Sequence, residues 1–98
     1  MLSFHIHIYL KTAGGFEKIG SFDLGTDKGF ANDLFHLMEG RDPRPDEDLL
    51  HIDLVERLHG LPLNIRAIGC TVDELARNVK TITREIFKVL NLNGSHMN

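Results

Sequence analysis

From Phe4 to Leu10 apolar and polar residues alternate, with Phe4, Ile6, Ile8 and Leu10 on one side and Ser3, His5, His7 and Tyr9 on the other. A period of two residues belongs to a β-strand with one face buried. Thr12-Ala13-Gly14-Gly15 is a turn signal, so residues 16–24 read as the hairpin partner of the first strand, with Gly20 interrupting the pattern as a β-bulge would. Beyond Gly25-Thr26-Asp27 the period changes. Phe30, Ala31, Leu34, Phe35, Leu37 and Met38 recur at helical steps, which predicts a helix over residues 27–39 ended by Gly40.

The second half repeats this order. Strands are expected over residues 50–57 and 63–68, separated by the turn His59-Gly60-Leu61-Pro62. A helix follows over residues 71–90. Its Val72, Leu75, Ala76, Val79, Ile82, Ile86 and Leu90 share one side of a wheel turning 100° per residue, and Arg77, Lys80, Arg84 and Lys88 form a row on the other. Thr71 and Glu74 make a Thr-x-x-Glu capping box at its start. Between the halves, residues 40–48 contain Arg41-Asp42-Pro43-Arg44-Pro45-Asp46-Glu47-Asp48, a charged stretch that its prolines bar from being a helix or a central strand.

The predicted fold class is therefore α+β. A four-stranded, mostly antiparallel sheet carries two helices on one face in the order ββαββα, a two-layer sandwich within residues 1–93. It divides into a ββα unit over 1–40, a connector over 41–48 and a second ββα unit over 49–92. His5-Ile6 and His51-Ile52 begin corresponding strands, each followed by a turn glycine, Gly15 or Gly60, and a later glycine, Gly25 or Gly69. This echo is what an internal duplication would leave, although any two hairpins before helices share a turn glycine. Residues 94–98, Gly-Ser-His-Met-Asn, resemble a cloning remnant or tail and stay outside the fold argument.

Composition narrows the function classes. Ninety-eight residues with 42% hydrophobic and 26% charged content make one ordinary globular domain, able to bury roughly two-thirds of its unfolded surface. No apolar run nears the ~18 residues that span a bilayer. The N-terminal residues lack a basic flank and an apolar signal core, so the cytoplasm is the expected compartment. A net charge of -3 argues against nucleic acid as a partner, and the basic row reads as a solvated helix face. Cys70 is the single cysteine and cannot form an internal disulfide; Asp73 and Glu74 oppose its activation at the helix start, so it reads as a small buried residue. Asp42, Asp46, Glu47 and Asp48 match no calcium-loop spacing and read as a solvated loop.

The remaining chemistry lies on the strands. If Phe4, Ile6, Ile8, Leu50, Ile52 and Leu54 face the helices, then His5, His7, Tyr9, His51, Asp53 and Val55 face away from them. Were the first and third strands neighbours, His5, His7, His51 and Asp53 would converge as three imidazoles and a carboxylate, a set suited to zinc or a similar divalent ion. The first reading is a non-enzymatic binding or assembly module, a homodimer formed through the open sheet face around Tyr9 and Val55 or through an edge strand. The alternative is a small enzyme or ligand-binding protein that uses the histidine cluster with a metal, or a histidine as general base, on a small molecule.

Overall fold

The computed structural model describes residues 1–94. Its elements are β1 (Leu2–Thr12), β2 (Gly15–Gly25), α1 (Lys28–His36), β3 (Leu50–Leu58), β4 (Leu61–Cys70) and α2 (Val72–Gly94). The four strands form one antiparallel sheet in the order β2-β1-β3-β4. The α+β class and the order ββαββα are as the pattern predicts.

The first strand of each hairpin lies at the centre. β1 and β3 pair without a register shift from Leu2↔Leu58 to Leu10↔Leu50. Phe4, Ile6, Ile8, Leu50, Ile52 and Leu54 are buried, and they share one core cluster with Ala31, Leu34 and Phe35 of α1 and Ile82 of α2. Each fully buried aliphatic side chain contributes on the order of 1.5–3 kcal/mol, so this inner layer is the chief source of stability. The pairing also has an approximate two-fold character. His5 sits opposite Val55 and Tyr9 opposite His51, so the corresponding residues of the two halves trade places about a centre at His7↔Asp53.

The turns follow from the residues in them. His59 and Gly60 both have positive φ, 52° and 81°, which a two-residue hairpin needs to match the strand twist. The turn is therefore shorter than expected, and Leu61 and Pro62 already belong to β4. Pro62 is tolerated because β4 is an edge strand, where an absent N–H costs no ladder bond on the solvent side. Register shifts between Ile8 and Tyr9 and between Leu54 and Val55 leave Ile19 and Ile65 as extra residues in the edge strands.

The helices depart from their predicted limits and faces. Asp27 caps α1, its Oδ1 accepting the Phe30 N–H at 3.1 Å, but the helix closes at His36 with Leu37 as its C-cap. Leu37 is exposed and Gly40 is not the stop. A Cβ on Gly40 would lie 2.7 Å from the Gly69 carbonyl oxygen, so glycine lets the connector approach β4, where Arg41 and Gly69 exchange backbone hydrogen bonds. At the start of α2 both halves of the capping box form: Thr71 N–H donates to Glu74 Oε1 at 2.8 Å, and Glu74 N–H donates to Thr71 Oγ1 at 3.1 Å. Of its predicted apolar side, Ile82 is buried and Leu75, Val79 and Ile86 pack on the core, but Val72, Ala76 and Leu90 are exposed. A polar residue of α2 is buried beside this stripe. The Asn78 side chain, 1% exposed, accepts the Glu39 N–H at 2.7 Å and donates to the Glu39 carbonyl at 2.9 Å.

The connector is not wholly solvated either. Asp48 is buried, paired with the Arg41 guanidinium and accepting the Arg44 backbone N–H at 2.6 Å. A side chain on Gly69 would overlap its carboxyl group, which explains the glycine there. Burial pushes the Asp48 pKa up, but the Arg44 N–H and the Arg41 guanidinium outweigh it and hold the carboxyl below the ordinary range. The proposed tail begins at Gly94, which is still helical; its continuation from Ser95 lies outside the described residues.

Replacing Asn78 with alanine leaves two backbone groups of Glu39 without their protein partner. Asn78→Ala is expected to lower stability by about 1–3 kcal/mol, read as a lower urea midpoint at unchanged slope, whereas Arg77→Ala, which removes only the exposed pair with Glu39, should barely move it.

Candidate functional site

The register places every residue singled out from the sequence on one side of the sheet, away from the core cluster. His7 lies opposite Asp53 on β3 and Ser21 on β2; Tyr9 lies opposite His51 and Lys18; His5 lies opposite Val55 and Asp23. β1 and β3 are neighbours, as convergence of the histidines requires.

The rings form a continuous row. Phe16 meets His51 edge-on with centroids 4.4 Å apart, His51 stacks on Tyr9 at 4.8 Å, and Tyr9, His7 and His5 follow at 6.3 and 6.2 Å. Beneath this row is a polar knot. His51 Nδ1 lies 3.0 Å from Asp53 Oδ1, and the Asn64 amide donates to Asp53 Oδ2 at 2.9 Å. A carboxylate can only accept, so Nδ1 carries the proton of that bond and a neutral His51 ring has Nε2 as its acceptor. Asp53 is buried, which makes these two partners the reason it is tolerated there.

Not all the singled-out residues are equally accessible. Val55 is only 1% exposed, and His7 is buried as well; His5, Tyr9 and His51 are partly exposed. Any contact with this face is therefore made by Tyr9, His51, His5 and Phe16, with Val55 beneath. Among the described residues no three His, Cys, Asp or Glu side chains are grouped so as to hold a metal ion. His51 and Asp53 are turned toward each other, and His5 is 3.0 Å from the Ser3 hydroxyl.

Asn64 and Phe16 escaped the sequence reading. The extra residues Ile65 and Ile19 shift the alternation of β4 and β2, so counting by twos from either end misplaces part of each strand.

Burial lowers the pKa of His7 from its ordinary 6.5, and the positive charge of Lys18, then of His5 and Arg57, lowers it further against the opposing pull of Asp53. Burial and Asp53 raise that of Tyr9, which keeps its phenol neutral.

Other candidates fall away from this face. Cys70 is buried, and its thiol is pushed up to about 11 by burial and by Glu74 and Asp48, so it is a packing residue and not a nucleophile at neutral pH. Arg77, Lys80, Arg84 and Lys88 are exposed; Arg77 pairs with Glu39, and Arg84 and Lys88 with Glu85. Cavities of about 600 and 320 Å³ lie where the end of β2 and the start of α1 meet α2.

No protein-family model, curated protein or solved structure matches this chain. Among the described residues no helix is long and apolar enough to cross a membrane.

A histidine whose folded pKa is depressed binds fewer protons in the native than in the unfolded chain. Its contribution to stability is whole above 6.5 and is lost as the pH falls from there toward the folded value. Urea denaturation on either side of pH 6.5 should show lower stability on the acid side, and His7→Gln should reduce that difference; an equal pH dependence in the variant would show that His7 is not its source.

Proposed function

We propose that the protein is a non-enzymatic assembly module whose open sheet face binds a second copy of itself. The observation that carries this reading is the ordered ring row Phe16, His51, Tyr9, His7 and His5 on the sheet face opposite the core cluster that α1 and α2 join. Rings held in fixed positions lose little conformational entropy on contact, which suits a recognition surface. Area supports it too. Four strands at ~4.8 Å spacing and about ten residues of ~3.4 Å each present on the order of 650 Å², near the ~800 Å² per partner of a standard interface once rim side chains are added. Lys18 and Asp23 lie toward opposite ends of the β2 edge on this face, so a two-fold axis running across the strands would bring unlike charges together. We place the protein in the cytoplasm, consistent with a lone buried thiol.

A second reading is favoured by one specific feature. The carboxylate of Asp53 orients His51 by Nδ1, the arrangement by which an imidazole is readied as a general base at Nε2. On that reading the face takes a small molecule that offers a proton near His51.

Tyr9→Glu places a charge in the middle of the ring row without touching the core, and is expected to halve the mass found by sedimentation equilibrium. An unchanged mass would remove the sheet face as the interface. For the second reading, amide and imidazole shifts in a small-molecule NMR screen should centre on His51 and weaken in Asp53→Asn; a screen without hits at His51 counts against it.

A further inference from the structure

On a helix turning about 100° per residue, Leu75, Val79, Ile82 and Ile86 of α2 face the core with the buried Asn78 beside them, while Leu90 and Phe87 lie about 50° and 110° further round. They form an apolar flank between the buried side and the basic row. Phe87 is 64% exposed and Leu90 66%, an unusual exposure for side chains this large on one helix face. Beside this flank is the groove formed by the two adjoining cavities. Leu24, Phe30, Ile86 and Val89 line its apolar part, Leu90 stands at its edge, and Asp27 and Asp33 make its other wall acidic.

Flank and groove are complementary in both respects that matter. The flank is apolar and followed round the helix by Lys80, Arg84 and Lys88; the groove is apolar and rimmed by carboxylates. Asp33 and Lys80 make no ion pair among the described residues, and the pairs of Arg84 and Lys88 with Glu85 are solvent-exposed and readily exchanged. Because Leu90 belongs to both surfaces, a two-fold axis near it would bring the Phe87 of each copy to the groove of the other. We infer that α2 forms a second, isologous contact between copies of this chain, with each Phe87 seated in the partner's groove and the basic row of one copy against Asp27 and Asp33 of the other. The contact uses a surface separate from the open sheet face and does not depend on it. With both contacts present and their two-fold axes perpendicular and intersecting, the assembly closes as a tetramer.

The test is sedimentation equilibrium on the full chain and three variants, with circular dichroism to verify folding. Phe87→Asp is expected to fall from tetramer to dimer, and Phe87→Asp combined with Tyr9→Glu to monomer. If Tyr9→Glu alone keeps the parent mass while Phe87→Asp halves it, the helix contact stands and the sheet contact fails. If Phe87→Asp keeps the parent mass in both backgrounds, the inference is overturned, whatever Tyr9→Glu does. A charge exchange tests the recognition itself. Asp33→Lys and Lys88→Glu should each weaken association about tenfold or more, and the two together should restore it; a double variant no better than either single one would overturn the pairing of basic row with acidic rim.

Discussion

The antiparallel pairing of β1 with β3 is the constraint on which the structure depends. Its unshifted register aligns two alternating sequences, so Phe4, Ile6, Ile8, Leu50, Ile52 and Leu54 point at the helices while the histidines, with Val55, point away. A slip of one residue between them would put His5 or His51 beneath α1 and α2, where an imidazole would lack partners, and expose isoleucines to water. Burial of Phe4, Ile6, Ile8, Leu50, Ile52 and Leu54 therefore determines not only the core but also which side chains form the candidate site.

Around this pair the hairpin ends and the connector set the limits of the layer. Two polar interactions anchor it at places where the hydrophobic pattern offers nothing. Asn78 imitates a backbone partner for Glu39 and ties the segment after α1 to α2. Asp48, with Arg41 and the Arg44 N–H, ties the connector to the end of β4 and requires glycine at position 69. Asn78 is buried with its amide bonded to both Glu39 backbone groups, and the buried Asp48 is held by one backbone N–H and an ion pair, which is what allows them to specify position. Beyond the core-facing stripe of α2, Phe87 and Leu90 are left in solvent, and that flank beside an acidic-rimmed groove is the physical basis of the proposed second contact between copies.

The site itself illustrates how one face can serve two chemistries. His51 held by Asp53 has the orientation of a catalytic imidazole, yet it is packed between Tyr9 and Phe16 as a recognition ring would be. His51 and Asp53, both in the ligand set suggested by residue types, are hydrogen-bonded to each other.

The sequence by itself determined the element order, the open and buried faces of β1 and β3, and the capping box of α2, because each depends on residues a few positions apart. It left the ends of α1 and β4 wrong by several residues, since Gly40 serves a close approach to β4 and Pro62 sits on the open edge of the sheet. Only the tertiary structure decided that β1 and β3 are neighbours, that Asn64 and Phe16 belong to the site, that Asp48 is buried and that Leu90 and Val72 are not. Those outcomes rest on strand order, on single extra residues in the edge strands and on long-range packing, and none of these leaves a local period in the chain.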